Sequence, residues 1–325
     1  MDDPGDGGNP TLAPVPPRAI PPSLLAAVER RHGLAVATAE PLAGGYECDV
    51  ALLTATDGRR CVLRVSPSSR SVEELAWAYE LASFAAEWIP EAVAPLAGRD
   101  GSLLFLHDGR PVSLFPFVAG RLLDRDDPAE RDAAARLLGG LHTLLQDWPG
   151  LRPRPDAPGY RMSSPSIASA AELAEQDAVL PDTELARFLA SWRANPRLPP
   201  APLHGDFYRG NLLCAEGRVA GLLDWDDAGI GSREYELAWS VWEFAQARAP
   251  DTTLDSTRAL RFLEAYAEIG PVDVSDRGFV VPLIRAHLRF EVVRAEAERR
   301  QGAQVDETYI ARNVAAFHAL RSQSL

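Results

Sequence analysis

The sequence predicts an α+β protein built from a small antiparallel β lobe, which carries one helix, and a larger, mainly helical lobe. Between residues 35 and 118, three Asp-Gly pairs are flanked by short apolar runs, a pattern typical of β-hairpins. One segment with helical spacing interrupts these runs, and from about residue 120 onward the pattern is mostly helical. We therefore expect a flexible tail over residues 1–22, an N-lobe over 23–118 and a C-lobe over 119–325.

The N-lobe pattern begins after an acidic tail that is rich in proline and glycine. Apolar residues at helical spacing predict a helix over residues 23–31, which Gly33 would end. Ser71 and Glu74 have the spacing of a capping box and predict a second helix, which runs to about Trp88. The two-residue turns favoured by Asp-Gly predict three hairpin connections, at Asp57-Gly58, Asp100-Gly101 and Asp108-Gly109.

The C-lobe is predicted to be helical except for one short segment. Asp127 and Pro128 are the residue types expected at the N-cap and first position of a helix, which would run to about Asp147. Further helical patterns lie near residues 167–178, 183–194, 233–248, 255–268, 277–300 and 306–322. A β-like segment at about residues 203–224 interrupts them and holds the densest group of polar side chains.

All 33 basic residues are arginine, so the chain contains no lysine, and its formal charge is -13. The absence of lysine excludes Walker A nucleotide binding, pyridoxal-phosphate aldimines and Schiff-base catalysis. The acidity argues against a nucleic-acid partner, because nucleic acids are bound by basic surfaces. Three scattered cysteines argue against a disulfide framework, and no apolar run is long enough for a membrane span. With no signal-peptide pattern either, we expect a cytoplasmic protein that does not bind membranes.

The polar group in the β-like segment begins with His204-Gly205-Asp206 and continues to Asn211. Glu216-Gly217 then predicts a hairpin turn, and the strand that follows ends at Asp224. The hairpin would return Asp224 to the loop that holds Asp206 and Asn211. Two carboxylates and an amide oxygen would converge there, and such hard oxygen ligands suit Mg²⁺. A metal-dependent hydrolase is an alternative for this group, but the single histidine and the missing HExxH pattern count against it.

Protein kinases have a catalytic-loop Asp, an Asn five residues later and a metal-binding Asp one hairpin beyond. Asp206, Asn211 and Asp224 have this arrangement, with Trp225-Asp226 where Phe-Gly would stand. The pattern HGDxxxxN followed by DW, behind an N-terminal hairpin lobe, resembles the aminoglycoside phosphotransferase family, which includes choline kinases, type II homoserine kinases and macrolide phosphotransferases. The resemblance covers about residues 40–245 and implies a two-lobed protein-kinase-like fold that uses ATP and Mg²⁺.

The resemblance also implies roles for the C-lobe residues. Asp206 would accept or orient the proton of the substrate hydroxyl. His204 would brace the catalytic loop through hydrogen bonds. Asn211 and Asp224 would hold magnesium. Asp226 lies two residues beyond Asp224, where a turn-capping role is favoured over substrate or metal binding.

In the N-lobe, kinase-like folds place a basic residue on the third strand, where it contacts the nucleotide phosphates and pairs with a glutamate of the helix. Arg64 has this strand position, and an arginine fork also donates to phosphate oxygens. Glu80 is the candidate partner because it falls in mid-helix. Glu74 is the alternative, although the capping box already explains it. A surface position for Arg64, beside Arg59 and Arg60, is the competing structural interpretation.

Two further nucleotide-binding segments are implied by the resemblance. Gly44 and Gly45 would form the loop over the nucleotide. Phe115 and Phe117 lie in the run LFPFV, which would be the hinge whose backbone receives adenine.

The function that these residues imply is transfer of the γ-phosphate of ATP to a hydroxyl of a small molecule. The alternative is a pseudokinase-like module that binds a nucleotide without turnover, for which Arg64 in place of lysine is the one supporting departure. The acceptor stays open among antibiotics, homoserine-like and choline-like molecules. The net acidity favours a cationic acceptor, whereas Arg285, Arg289 and Arg294 on one predicted helix favour an anionic one.

Two further predictions concern packing. His142, in an apolar stripe, is expected in the core. Arg233 and Glu236, at the start of a helix, are expected to form a buried polar brace.

Overall fold

The apolar runs around the Asp-Gly pairs form part of one five-stranded antiparallel sheet. A computed structural model gives the structure of the protein and describes residues 18–42, 48–155, 168–248 and 252–325. The N-lobe consists of α1 (Pro22–His32), β1 (Val36–Leu42), β2 (Asp49–Ala55), β3 (Arg60–Val65), α2 (Val72–Ala86), β4 (Phe105–His107) and β5 (Arg110–Pro116). The strand order in the sheet is β1-β2-β3-β5-β4.

Two of the three predicted hairpin connections join paired strands. Asp108 and Gly109, with φ of 49° and 74°, form the turn between β4 and β5. Gly58, with φ of 86°, lies in the turn between β2 and β3. The prediction for Asp100-Gly101 is wrong, because this turn lies outside the strands. The segment before it is drawn to the C-lobe, where Val93 N donates to Leu222 O at 3.0 Å.

The alternation of side chains along β3 places Arg64 at the cleft between the lobes. Cys61, Leu63 and Val65 point to one face of the sheet, where they are buried in a core shared with Leu24 of α1. Because successive residues of a strand point to opposite faces, Arg64 points to the other face. That face lies towards the C-lobe.

The C-lobe is mainly helical and carries two small sheets, one of three strands and one of two. Its first elements are β6 (Arg121–Leu122), α3 (Pro128–Leu145), α4 (Ala170–Val179), α5 (Thr183–Ala194), β7 (Ala201–Leu203), β8 (Leu212–Ala215), β9 (Arg218–Leu222) and β10 (Gly229–Gly231). The helices that follow are α6 (Arg233–Ala245), α7 (Ser256–Ala267), α8 (Val280–Arg300) and α9 (Glu307–Ala319).

One hydrophobic core joins α2 to the helices of the C-lobe. Leu75, Ala78 and Ala82 of α2 belong to the same buried cluster as Leu138 of α3 and Leu283 of α8. The core fixes α2 against the C-lobe, so α2 and the end of β9 face each other across the site described below.

All three cysteines of the chain are buried and free, as expected for a protein without a disulfide framework. Within the described ranges, no helix is long and apolar enough to cross a membrane.

Candidate active site

The loop between β7 and β8 can have only glycine at position 205. Gly205 has φ of 88°, in the left-handed region, and a Cβ built on it would lie 2.0 Å from the carbonyl oxygen of Asp227. Any other residue would push the loop away from the segment after β9. The Gly205-Asp206 dipeptide is therefore a consequence of how closely these two backbone segments approach.

His204 braces the loop as a neutral imidazole. Its Nε2 lies 2.9 Å from the carbonyl oxygen of Leu223, which only accepts, so Nε2 carries the proton. Its Nδ1 accepts a hydrogen bond from Asp206 N at 3.3 Å, so Nδ1 is unprotonated. Burial lowers the pKa of His204, in agreement with the neutral form. The side chain thereby ties the catalytic loop to the end of β9.

A second brace lies beneath the loop and combines two of the packing predictions. Glu236 Oε1 accepts a hydrogen bond from Gly205 N at 2.5 Å, and its Oε2 lies 2.8 Å from His142 Nε2. His142 Nδ1 lies 2.8 Å from the hydroxyl of Tyr266. The predictions that His142 lies in the core and that Glu236 belongs to a buried brace are confirmed.

Arg233, the other predicted member of the brace, is buried as well, but it contacts different partners. Its two Nη atoms donate to Gln146 Oε1 at 3.2 Å and to Pro199 O at 3.0 Å.

Asp206 and Asn211 are in direct contact. The Nδ2 group of Asn211 donates to Asp206 Oδ2 at 2.8 Å and to Asp206 O at 2.9 Å. Burial, together with the negative charges of Asp227 and Asp224, raises the pKa of Asp206 well above its usual range. Asp206 is therefore held in a fixed rotamer in a region of concentrated negative charge.

The β8–β9 hairpin brings Asp224 to this group, as the sequence predicts. Glu216 and Gly217, both at positive φ, form its turn, and Leu223 N donates to Asn211 O at 2.8 Å. Asp224 has φ of 57°, an uncommon conformation for a residue other than glycine and one that is concentrated at active sites. Its side chain is 39% exposed, so it is accessible from the cleft.

Arg64 crosses from the N-lobe and pairs with two carboxylates after β9. Its Nη1 lies 2.8 Å from Asp224 Oδ1 and its Nη2 lies 2.9 Å from Asp226 Oδ2. Burial acts to raise the pKa of Asp224, but the Arg64 guanidinium holds it below its usual value. The pKa of Asp226 is raised to about 6, because burial outweighs the attraction of Arg64. The competing interpretation of Arg64 as a surface residue is wrong.

The predicted pairing of Arg64 with Glu80 is also wrong. Glu80 is 46% exposed and pairs with Arg152 at 2.6 Å, because its side of α2 faces solvent. Tyr79, one position earlier, is buried and points to the site. Glu74, the alternative partner, is fully buried but contacts Arg70 at 2.8 Å and Arg154 at 2.5 Å. Ser71 caps the helix as predicted, by accepting from Glu74 N at 3.0 Å.

The hinge residues lie beside the cleft. Phe115 is in β5, where it pairs with Val62 and packs against Tyr79 with the ring centroids 5.6 Å apart. Phe117 follows β5, with its N–H donated to Arg60 O at 3.3 Å and its ring under the Arg60 guanidinium. Since that N–H is used within the protein, it is not free for a ligand, and the binding of adenine by this segment stays a prediction. Gly44 and Gly45 lie outside the described residues.

The oxygen groups of Asn211 and Asp224 fit a divalent cation. Both hydrogen bonds of Asn211 use its Nδ2, so in the described structure its amide oxygen is left for a ligand. Asp206, Asp224 and Asp227 raise the local negative charge, which a cation would relieve. No group of three or more His, Cys, Asp and Glu side chains suited to a metal lies in the described part of the chain. A site that uses the amide oxygen of Asn211 would not form such a group, because asparagine is not one of these four residue types.

The three arginines that the sequence suggested as a binding face for an anionic acceptor form ion pairs within the C-lobe. Arg285 pairs with Asp182 at 2.6 Å, Arg289 with Asp177 at 2.7 Å, and Arg294 with Glu291 at 2.7 Å. The first two pairs tie α8 to α4 and to the start of α5. The interpretation of these residues as an anion-binding face is therefore not supported.

Sequence reasoning missed the role of Asp226, which had been assigned to turn capping, and of Tyr79. Tyr79 donates from its hydroxyl to Asp226 Oδ1 at 3.2 Å. The sequence carried one signal for Asp226: it is a second carboxylate two residues after Asp224, and the guanidinium of Arg64 has two Nη groups.

The family model of the phosphotransferase enzyme family matches residues 38–272, which run from within β1 to beyond the end of α7. The chain belongs to this family. Its resemblance to aminoglycoside phosphotransferases, stated from the HGDxxxxN and DW motifs, is confirmed.

Two relatives illustrate this membership. Homoserine kinase of Pseudomonas aeruginosa is 33% identical over 177 residues, which are 54% of this chain and 55% of that protein. The chain thus spans about half the length of the curated relatives it matches first. Stress response kinase A of Salmonella choleraesuis is 28% identical over 256 residues, covering 73% of this chain and 71% of that protein.

The fold is shared with amicoumacin kinase hAmiN, solved in complex with AMP-PNP, Ca²⁺ and Ami. The TM-score is 0.72 at 12% identity, with 92% of this chain and 93% of that chain covered. The predicted two-lobed kinase-like fold class is confirmed.

Proposed function

We propose that this phosphotransferase moves the γ-phosphoryl group of ATP to a hydroxyl of a small molecule, with Mg²⁺ as its metal. The observation that carries the proposal is the convergence of two sets of groups on one cleft. Asp206, Asn211 and Asp224 approach it from the C-lobe, and Arg64 approaches it from the N-lobe. The names of the relatives and of the structural neighbour, all kinases, support the same reaction class.

Each residue has a chemical task in this reaction. Asp206, fixed by Asn211, accepts or orients the proton of the attacking hydroxyl. Arg64 donates to phosphate oxygens as a fork and stabilises the charge that spreads over them in the transition state. Asn211 and Asp224 hold the divalent ion, which when bound neutralises phosphate charge. His204 and Glu236 keep the loop in place, so most of the acceleration comes from positioning and electrostatics.

Magnesium is the metal that the donor set favours. Carboxylate and amide oxygens are hard ligands, and Mg²⁺ is typically held by one or two protein carboxylates together with substrate phosphates. The acceptor is proposed only as a hydroxylated small molecule. The internal pairing of Arg285 and Arg289 removes the support that the sequence gave to an anionic acceptor.

The test is a panel of hydroxylated small molecules incubated with ATP and Mg²⁺ and examined by mass spectrometry for the gain of one phosphoryl group. We expect one acceptor class to be phosphorylated, and Asp206→Ala to lower turnover by about 10³-fold, because the hydroxyl proton loses its acceptor. The variant should bind ATP nearly as well as the wild type.

Three outcomes would contradict the proposal. Full turnover by Asp206→Ala would remove its catalytic role. Product formation without ATP would indicate a hydrolase. Nucleotide binding with no turnover on any acceptor would favour the pseudokinase-like alternative.

A further inference from the structure

The two carboxylates that bind Arg64 differ in how firmly the protein holds them. Asp224 is the more exposed one, at 39%, and follows Leu223, whose N–H donates to the backbone oxygen of Asn211. The Asp226 side chain is only 8% exposed. A buried carboxylate that loses its cation is strongly destabilised, whereas an exposed one exchanges partners at little cost. Asp226 is therefore the lasting partner of Arg64, and Asp224 is the exchangeable one.

We propose that Asp226 is the residue that positions the Arg64 guanidinium on the nucleotide phosphates. The proposal rests on the phosphotransferase function given above. It assigns to the segment after β9 the task that the family resemblance assigned to a glutamate of α2. Asp226 acts through Arg64 and is a positioning residue.

Helix α2 supports the side chain of Asp226. Tyr79 is fully buried, and its hydroxyl donates to Asp226 Oδ1 at 3.2 Å, leaving Oδ2 for Arg64. The Tyr79 ring packs edge-on against Phe115 of β5, which fixes its direction. The two oxygens of Asp226 thus have separate partners, and the carboxylate plane is set by both.

The same helix also supports the backbone of Asp226, through Glu74. Arg70 and Arg154 each pair with Glu74 Oε1. Both also donate to the carbonyl oxygen of Asp226, at 2.7 Å and 2.6 Å. The buried glutamate of α2 therefore holds the segment that positions the anchor, and does not hold the anchor itself.

Arginine suits this arrangement in a way that lysine does not. The guanidinium is a planar fork, so Nη2 stays on Asp226 while Nη1 turns to another anion. Nε makes a third contact, with Cys48 Sγ at 3.2 Å, which fixes the plane of the fork. A lysine ammonium has one nitrogen and no plane, and a single carboxylate would not set its direction.

The test measures the affinity of the full chain for ADP by isothermal titration calorimetry, with and without Mg²⁺. Asp226→Asn preserves shape and removes the negative charge that pairs with Arg64, so we expect ADP affinity to fall about tenfold under both conditions. Tyr79→Phe should weaken it about threefold, because the carboxylate loses one of its two supports. Glu80→Gln, one residue further along α2, is the matched control and should leave the affinity unchanged. Melting curves establish that each variant is folded.

A double variant separates positioning from a general structural role. In an Arg64→Ala background, Asp226→Asn should have no further effect on ADP affinity, because the residue through which it acts is gone. The same loss in both backgrounds would overturn the proposal. If Asp226→Asn does not fold, Tyr79→Phe is compared in the same two backgrounds. An unchanged ADP affinity in Tyr79→Phe, or a loss that persists in the Arg64→Ala background, would overturn the proposal.

The remaining outcomes distinguish this proposal from the proposed function. A wild-type affinity in Asp226→Asn overturns the positioning role alone. A loss confined to titrations with Mg²⁺ assigns Asp226 to the metal and also overturns it. A wild-type chain that binds no ADP overturns the phosphotransferase function and the positioning role together.

Discussion

The loop that holds Asp206 is braced by groups of its own lobe, whereas Arg64, the proposed phosphate anchor, meets carboxylates of the opposite lobe. Beneath the loop, Glu236 joins Gly205 N and the buried His142 through short hydrogen bonds within the C-lobe. Arg64, on β3 of the N-lobe, meets Asp224 and Asp226 of the C-lobe. The loop is therefore preorganised when the C-lobe folds, while the anchor is in place only when the two lobes are together.

Because of this difference, mutations beneath the loop and mutations at Arg64 should have different consequences. A change beneath the loop should first reduce stability, because it leaves buried polar groups without partners. A change at Arg64 should reduce nucleotide use and also lower stability, because Asp224 is accessible from the cleft whereas the buried Asp226 would lose its cation.

The largest effect is expected for Glu236→Ala. The variant leaves the buried His142 and the N–H of Gly205 without their acceptor. Each buried donor left without its acceptor costs about 1–3 kcal/mol, so the free energy of unfolding should fall by about 2–5 kcal/mol in urea titrations. Glu264→Ala, an exposed change within α7, is the control and should cost under about 0.5 kcal/mol. A loss below about 1 kcal/mol for Glu236→Ala would show that the loop is not held by this brace.

A smaller effect on activity is expected for Arg64→Ala, which also leaves the buried Asp226 without its cation and should lower stability. The variant removes the fork that donates to phosphate, so kcat/KM for ATP should fall about 10²-fold, or about 2.7 kcal/mol. Arg59→Ala is the control, since Arg59 lies in the exposed β2–β3 turn and pairs with Asp57. Steady-state kinetics with ATP as the varied substrate measure both. Equal effects of the two variants would place the phosphate contact elsewhere in the chain.

The catalytic loop was predictable from sequence because its residues lie close together along the chain. His204, Asp206 and Asn211 share one loop, and the Glu216-Gly217 turn carries Asp224 back to it. Turn chemistry at Glu216-Gly217 and the strand period were sufficient to place all four residues. The face of β3 that carries Arg64 followed from the same period.

The partners of Arg64 were not predictable in the same way. On α2, neighbouring residues differ by about 100° around the helix axis, so the choice between Tyr79 and Glu80 depends on how the helix is rotated against the C-lobe. That rotation is set by packing in the shared core. Glu74 was assigned to the helix cap, and its partner Arg154 lies 80 residues away in a proline-rich connection. No local pattern joins such residues.

The smallest of these effects concerns a buried ion pair of the C-lobe that lies away from the site. It tests whether this pair stabilises the fold as the brace under the catalytic loop does. Asp182 is buried at the start of α5, where its Oδ2 pairs with Arg285 and its Oδ1 accepts from Leu185 N. Burial alone would raise the pKa of Asp182, but these contacts lower it from 3.8 to about 2.

Because the folded pKa lies below the unfolded one, the ionised Asp182 stabilises the fold above about pH 4, by roughly 2 kcal/mol. This contribution should disappear as the pH falls from about 4 to 2. Asp182→Asn keeps the helix cap and removes the charge, so the difference in free energy of unfolding from the wild type should be roughly 2 kcal/mol at pH 6 and shrink towards pH 2. Glu184→Gln, an exposed change two residues later, should show no such trend. A difference for Asp182→Asn that stays constant with pH would mean that the Arg285 pair does not stabilise the folded chain, and that the brace under the catalytic loop is a local exception in this lobe.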